Sequence, residues 1–165
     1  MNKTVEMKLL FITRAYPPLV GGMQKFASEF YKNYQKIGDI DLLANPGGNK
    51  TLGLFLFKVI IHLIFNARKY DVINLYDAVL SPLVPIIRLL SRAKISLTVN
   101  GLDIVYSRFG YQKIMPYFLK QADKVICISE YTLMQCKLRQ IPQDKLSVIP
   151  IGITFDGLEI YPDYK

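Results

Sequence analysis

Short apolar runs alternate along this chain with longer segments whose apolar residues recur every three or four positions. The first run, 7–13, is almost wholly apolar, as is typical of a strand buried on both faces of a parallel sheet. The segment 23–37 follows with helical spacing, and Gly38 is placed to end that helix. The same patterns predict further strands at 40–44, 71–76, 94–99, 124–128 and 145–149. They predict further helices at 52–69, 79–91, 111–121 and 129–140.

This alternation of strands and helices predicts an α/β fold, a Rossmann-like three-layer α/β/α sandwich with a mainly parallel sheet. Right-handed crossovers place helices on both faces of such a sheet. Ligands of these folds bind beyond the carboxyl ends of the strands. The loops to search for a site are therefore 14–22, 76–78, 100–106 and 129–131. We assign 1–150 to this domain and 151–165 to the start of an interdomain linker.

Composition agrees with one folded domain and argues against several classes of active site. The 165 residues are 51% hydrophobic and 21% charged, so a core can form without metals or disulfides. Cys127 and Cys136 do not have the spacing of a zinc site and are predicted to be buried thiols in a reducing compartment. His62 is the single histidine and lies inside an apolar stretch, which leaves almost no material for a Ser-His-Asp triad or a multi-histidine metal site.

The formal net charge of +8 raises the question of an anionic partner. No dense Lys/Arg block and no nucleic-acid motif accompanies it, so nucleic acid is not expected. Two interpretations stay open, a solvated basic surface and a face for phosphates or for the inner leaflet of a membrane. The apolar stretch 52–65 is about 14 residues, short of the roughly 20 that span a bilayer, so it predicts a core helix with an interfacial role left open.

No secretory signal is evident at the start of the sequence, where polar residues precede a short apolar run. We therefore expect a cytoplasmic protein. The positive net charge favours a peripheral position on the inner face of the cell membrane.

The loop after the first strand is the strongest candidate site. It contains Gly21 and Gly22 at the start of a helix, where free backbone amides and the helix dipole favour a phosphate. Its spacing fits neither the G-x-G-x-x-G dinucleotide fingerprint nor a P-loop. A simple turn is the structural alternative. Arg14 and Tyr16 in the same loop are candidates for substrate binding.

Two further strand ends carry polar residues. Asn100 and Asp103 follow the strand 94–99 and are positioned to meet substrate hydroxyls, although an Asn-Gly turn is the common alternative. Ser129 is predicted to cap the next helix rather than to act as a nucleophile, because no base is available. That helix start, including Glu130, is a further candidate for substrate binding.

Taken in order, four segments resemble the N-terminal half of the retaining family-4 glycosyltransferases. The family's P-P-x-x-G-G loop is matched at 17–22, and its His-Gly-x-Asp strand end by Asn100-Gly101-Leu102-Asp103. Its A-D-x-V-I-x-x-S segment is matched at 122–129. Its V-I-P-N-G-I-D segment is matched in part at 148–154, where Ile and Thr replace Asn and Asp.

The resemblance implies a GT-B fold, in which two Rossmann-like domains face each other across a cleft. The N-terminal domain mainly recognises the acceptor and the C-terminal domain binds the nucleotide sugar. By this resemblance Gly21 and Gly22 approach the donor phosphate or the acceptor, and Asn100 and Asp103 are the catalytic candidates. Asn100 stands where the family has His, and because an amide does not titrate it is suited to orienting a hydroxyl but not to acting as a base.

The partners implied are a nucleotide-sugar donor and a glycan or lipid-linked acceptor, in cell-envelope polysaccharide synthesis. No cofactor and no metal are expected. The chain carries no second domain, so we expect it to be inactive by itself. A non-catalytic binding or scaffolding module is the alternative, and other Rossmann-like proteins fit less well, since a receiver domain needs acidic residues where Thr13 and Arg14 stand.

Overall fold

The computed structural model describes residues 7–107 and 110–152. Six strands form one sheet in the order β2-β1-β3-β4-β5-β6, and each neighbouring pair is parallel. The strands are β1 Lys8–Thr13, β2 Asp39–Ala44, β3 Val72–Leu75, β4 Lys94–Val99, β5 Lys124–Cys127 and β6 Leu146–Val148. The predicted α/β architecture with a parallel sheet is therefore confirmed. The predicted linker lies outside the described residues beyond Gly152.

Helices connect the successive strands. They are α1 Gly22–Tyr34, α2 Leu52–Asn66, α3 Leu83–Leu90, α4 Gly101–Val105, α5 Tyr111–Leu119 and α6 Glu130–Leu138. Short 3-10 turns stand at Gly48–Thr51, Ala67–Lys69, Ala78–Leu80 and Gln143–Lys145. Because every crossover returns the chain to the end of the sheet at which the strands start, the carboxyl ends of all six strands lie at one side of the domain.

The two faces of the sheet are covered unequally. Alternate residues of β1 show this, because Leu10 and Ile12 belong to a large core shared with α2, α3 and α5, whereas Phe11 packs under α1. Cys127 and Cys136 lie in the large core as free thiols with their sulfurs 3.8 Å apart, which confirms that they are buried.

Two elements differ from the prediction. The helix predicted at 79–91 begins only at Leu83, because proline is tolerated in the first turn of a helix and Pro82 and Pro85 therefore fix its start. The preceding residues Ala78–Leu80 form a 3-10 turn. The one-turn helix α4 was not predicted. Asn100 caps this helix, so the Asn-Gly pair begins a helix rather than a simple turn.

The α2 segment is the longest apolar helix of the described residues. With its flanking 3-10 turns it runs from Gly48 to Lys69, 22 residues that include an 18-residue window with a mean hydropathy of 1.5, long and apolar enough to cross a membrane by length and composition alone. Phe55, Val59 and Leu63 are nonetheless buried in the domain core. One face of the helix is thus part of the core, and the opposite face is exposed.

Candidate functional site

The carboxyl ends of four strands bring the predicted site residues to one edge of the domain. Arg14 follows β1, Asp77 follows β3 after one residue, Asn100 follows β4, and Ser129 follows β5 after one residue. Since the strands are parallel neighbours, these positions share an edge, and we call it the carboxyl edge.

An ion pair between Arg14 and Asp77 lies in the middle of this edge. Asp77 is fully buried and its carboxylate contacts the Nε of Arg14. Its Oδ1 also accepts a hydrogen bond from the backbone N–H of Val79 at 2.8 Å. Burial raises the pKa of Asp77 above its ordinary value, although the Arg14 guanidinium acts in the opposite direction. Arg14, predicted to bind substrate, is thereby held in place by a carboxylate that the sequence did not single out.

Asp103 ties two loops of the edge together. Its Oδ2 accepts hydrogen bonds from the backbone N–H of Ala78 at 2.9 Å and of Asn100 at 3.0 Å. Asn100 reciprocates by capping α4, so the two residues form a capping box. Both side chains are buried. In the structure Asp103 therefore positions these two loops beneath the carboxyl edge. Its predicted catalytic role stays a prediction.

The buried carboxyl of Asp103 has an unusual pKa. Burial and the neighbouring Asp77 carboxylate raise the pKa of Asp103 to about 7, against the lowering effect of its hydrogen bonds from Ala78 and Asn100. The charged form of this group is thus less favourable in the folded chain than in the unfolded one.

This pKa predicts a dependence of stability on pH. A raised folded-state pKa stabilises the fold below the unfolded value near 3.8, and this contribution is lost as the pH rises through about 7. Asp103 therefore lowers the free energy of unfolding by at most about 1.4 kcal/mol for each pH unit within that window. We expect Asp103→Asn to flatten the curve of unfolding free energy against pH, measured by urea denaturation between pH 4 and 7.

Asp144→Asn, at an exposed carboxyl, is the matched control and should leave the slope as it is. An equal slope in the wild-type chain and in Asp103→Asn would show that Asp103 does not titrate in this window.

Tyr111 completes the buried cluster and was not predicted. Its hydroxyl is buried without a hydrogen-bond partner among the described residues. Burial raises its pKa, and the carboxylates of Asp103 and Asp77 raise it further. Tyr111 sits at the start of α5, which packs against the 3-10 turn after β3, and its sequence context gave no signal beyond a helical apolar position.

The glycine loop lies at the solvent-facing part of the carboxyl edge. Gly21 and Gly22 are both exposed, and Gly21 caps α1 through its extended backbone. A Cβ on Gly22 would meet only the Phe26 ring at 3.7 Å, an ordinary contact, and one on Gly21 would meet the flexible end of the Gln24 side chain. Packing within the described fold therefore does not require glycine at these two positions.

The remaining predicted site residues are Ser129, Glu130 and Tyr16, and none of them belongs to the buried cluster. Ser129 accepts a hydrogen bond from the backbone N–H of Thr132 at 3.2 Å and caps α6, as predicted. Glu130 is exposed in the first turn of that helix. Tyr16 is half-buried and packs on the smaller core below α1. The structure places Ser129 and Glu130 on the same edge, where α4 contacts α6.

The chemistry of this edge favours binding over acid–base catalysis. Its exposed donors are glycine amides at a helix start, which suit a phosphate or a hydroxyl oxygen. Of its buried charged groups, Arg14 and Asp77 are paired with each other, and Asp103 accepts hydrogen bonds from backbone amides. The cluster therefore fixes the loops that carry the exposed amides.

Comparisons with known proteins agree with this picture. The sequence profile of Glycosyltransferase Family 4 matches residues 13–156. No curated protein sequence matches the chain.

Solved structures match the fold at low sequence identity. The Anabaena protein Alr3699/HepE in complex with UDP-glucose superposes with a TM-score of 0.70 at 16% identity, over 92% of this chain and 45% of HepE. Its complex with UDP gives 0.69 at 17% identity, over 91% of this chain and 45% of HepE. The lipopolysaccharide outer core galactosyltransferase WaaB gives 0.62 at 16% identity, over 92% of this chain and 48% of WaaB. This chain thus spans less than half the length of the solved proteins that it resembles.

Proposed function

Because this chain belongs to glycosyltransferase family 4, we propose that it is the acceptor-recognising half of an enzyme that transfers a sugar from a nucleotide-sugar donor to a glycan or lipid-linked acceptor. Two kinds of structural neighbour support the proposal. HepE was solved with UDP and with UDP-glucose, and WaaB is a galactosyltransferase of lipopolysaccharide. UDP-glucose is accordingly the first donor to test. Synthesis of cell-envelope polysaccharide in the cytoplasm is the setting that we propose.

One observation carries the proposal, the exposed glycine pair at the carboxyl edge. The fold does not require Gly21 and Gly22 to lack a side chain, since a Cβ on either meets little or only a flexible group. A ligand that approaches the backbone closely supplies the missing reason. The amides at the start of α1 are suited to a phosphate of the donor or to a hydroxyl of the acceptor.

The chain alone is proposed to lack transferase activity. It covers 45% to 48% of the neighbours' chains, so about half of each of those chains lies outside the match. In the proposed division of work, Asn100 orients a sugar hydroxyl from this half, and Arg14 and Asp103 hold the loops around it. The donor nucleotide is bound mainly by the other half.

The glycine pair gives the test of this function. We expect Gly22→Ala to lower kcat/KM by about tenfold or more, because a methyl group displaces the ligand by a fraction of an ångström or more at the reacting centre. The measurement is transfer from UDP-glucose by the polypeptide in which this domain is joined to its donor-binding half. The melting temperature should be unchanged or slightly higher, since alanine favours helix over glycine.

Gly53→Ala is the matched control, because a Cβ at Gly53 meets nothing within 4 Å and the position is exposed near the start of α2. It should leave kcat/KM unchanged. Equal kcat/KM for Gly22→Ala and the wild-type enzyme would remove the glycine loop from the site.

A non-catalytic binding module is the second candidate, and Asn100 favours it. The amide stands where the family resemblance expects a histidine, and it does not transfer protons. The reading frame of the gene separates the two candidates. A frame that continues into a second Rossmann-like half supports the transferase, and a stop codon directly after Lys165 supports the binding module.

A further inference from the structure

The outward face of α2 is apolar, which is unusual for a surface helix. Five of its side chains are between 41% and 76% exposed and form one stripe along the helix, namely Leu54, Phe57, Ile61, Ile64 and Phe65. A helix on the surface of a soluble domain normally turns charged and polar residues outward. A contiguous exposed apolar surface of this kind marks a docking site rather than a solvated face.

The opposite face of the same helix is fixed in the domain. Phe55, Val59 and Leu63 are buried in the core, and α2 packs against α3. The helix therefore does not leave the sheet to cross a bilayer while the domain stays folded. Its exposed stripe is suited to lying in the plane of an interface, with the remainder of the domain above it.

Basic residues surround the stripe and acidic ones are missing from it. The sequence has no Asp or Glu between Asp41 and Asp71, whereas Lys50, Lys58, Arg68 and Lys69 fall in this stretch. All four basic residues are exposed. The surface of α2 thus combines apolar side chains with positive charge, as surfaces that bind anionic lipids do.

A cleft of arginines continues the positive surface at the end of α2. Its volume is about 770 Å³, and Arg68, Arg88 and Arg92 line it together with Asp71. Arg88 is paired with Asp123 at 2.7 Å, whereas Arg68 and Arg92 form no ion pair among the described residues. The cleft lies at the amino ends of β3 and β4, on the side of the sheet opposite the carboxyl edge.

We propose that the exposed stripe of α2 and the arginine cleft beside it dock the protein on an anionic membrane surface. The apolar side chains enter the boundary between headgroups and acyl chains, and Arg68 and Arg92 contact lipid phosphates. This surface is separate from the carboxyl edge, so the inference does not depend on the proposed transferase activity.

Binding to vesicles tests the proposal with the 165-residue chain. We expect co-sedimentation with vesicles of phosphatidylcholine and phosphatidylglycerol, weak binding to phosphatidylcholine alone, and release by salt near 0.5 M, where charges at the surface are screened. Equal binding to both kinds of vesicle overturns the proposal. Protein that stays bound after extraction with alkaline carbonate also overturns it, in favour of a membrane span.

Substitutions locate the surface. We expect Phe57→Gln with Phe65→Gln to weaken vesicle binding about tenfold or more. The matched control is Tyr117→Gln with Leu138→Gln, two side chains of similar exposure on α5 and α6. Binding that survives the phenylalanine changes, or is lost equally in the control, overturns the assignment to α2.

The charge contribution is tested in the same way. Arg68→Gln with Arg92→Gln should weaken binding about 25-fold, since each basic residue near an anionic surface contributes about fivefold. Lys32→Gln with Lys137→Gln removes the same charge from α1 and α6 and should change binding much less. An equal loss in both pairs would mean that net charge, rather than this cleft, attracts the lipid.

A tryptophan reports whether the stripe itself enters the lipid, because the sequence contains none. In Phe57→Trp, the emission should shift to the blue with anionic vesicles and be quenched by brominated acyl chains, whereas Leu138→Trp should show neither effect. The rival occupant is a second copy of the chain. A dimer in sedimentation velocity that the phenylalanine changes dissociate, together with unshifted emission in Phe57→Trp, would assign the stripe to self-association and overturn the proposal.

Discussion

Replacing Asp77 with alanine is expected to lower the free energy of unfolding by about 3 kcal/mol, because it breaks a buried ion pair from one side. The carboxylate is fully buried and contacts the Nε of Arg14. Without it, the guanidinium keeps a mostly buried place with no counter-charge. The N–H of Val79 also loses its 2.8 Å acceptor. Urea denaturation near neutral pH measures the change.

A double-mutant cycle separates the pair from its surroundings. Arg14→Ala should also destabilise the domain, since it leaves the Asp77 carboxyl buried and unpaired. The double variant should lose less than the sum of the two single losses, with a coupling of about 1–3 kcal/mol. Asp144→Ala, at an exposed carboxyl, is the control and should change stability by less than about 0.5 kcal/mol. Additive losses would show that Arg14 and Asp77 do not stabilise each other.

The second large effect is expected in α2, where neighbouring residues face opposite environments. Leu63 is fully buried in the core, and Ile64 is 51% exposed. We expect Leu63→Ala to cost about 3 kcal/mol through lost burial and the cavity that remains. Ile64→Ala should cost less than about 0.5 kcal/mol. The same denaturation experiment in the absence of lipid gives both values.

The comparison tests how α2 is held. Similar losses at both positions would mean that the outward face is also packed in the folded chain, and the membrane surface proposed above would lose its basis. A small loss at Leu63 would mean that the helix is not anchored in the core.

Much of the fold was predictable because its strands and helices have strong local patterns. The run 7–13 is apolar at nearly every position, as a strand of a covered parallel sheet must be, and it forms β1. The helix α4 was not predictable in this way, because five residues make a single turn and show no periodicity. The one sequence signal for its start is the capping-box spacing of Asn100 and Asp103, three residues apart.

The candidate site was predictable in part. The strand-end rule led to the loops that contain Arg14, Gly21, Asn100 and Ser129, since parallel strands end at a common edge. Asp77 was missed although it lies in one of these loops, because its role depends on Arg14, which arrives from another strand. The catalytic role of Asp103 stays a prediction. The structure adds that its carboxylate accepts a hydrogen bond from a backbone amide 25 residues away along the chain, which the sequence did not indicate.

The exposed face of α2 shows a different limit of sequence patterns. A stretch that is apolar all round predicts burial on every side, and it does not indicate which face a fold leaves open. That information comes from the packing of Phe55, Val59 and Leu63 against the core. Only then does the remaining stripe become a surface that needs a partner.

The most direct test of the proposed functional edge is a titration with UDP-glucose of the polypeptide in which this isotope-labelled domain is joined to its donor-binding half, followed by the backbone amide signals in NMR spectra. We predict saturable shifts at Gly21, Gly22 and the amides after β4 and β5, with the amides of Arg92 and Ala93 at the opposite edge unchanged. Shifts confined to the arginine cleft, or none at the carboxyl edge at millimolar ligand, would contradict the account.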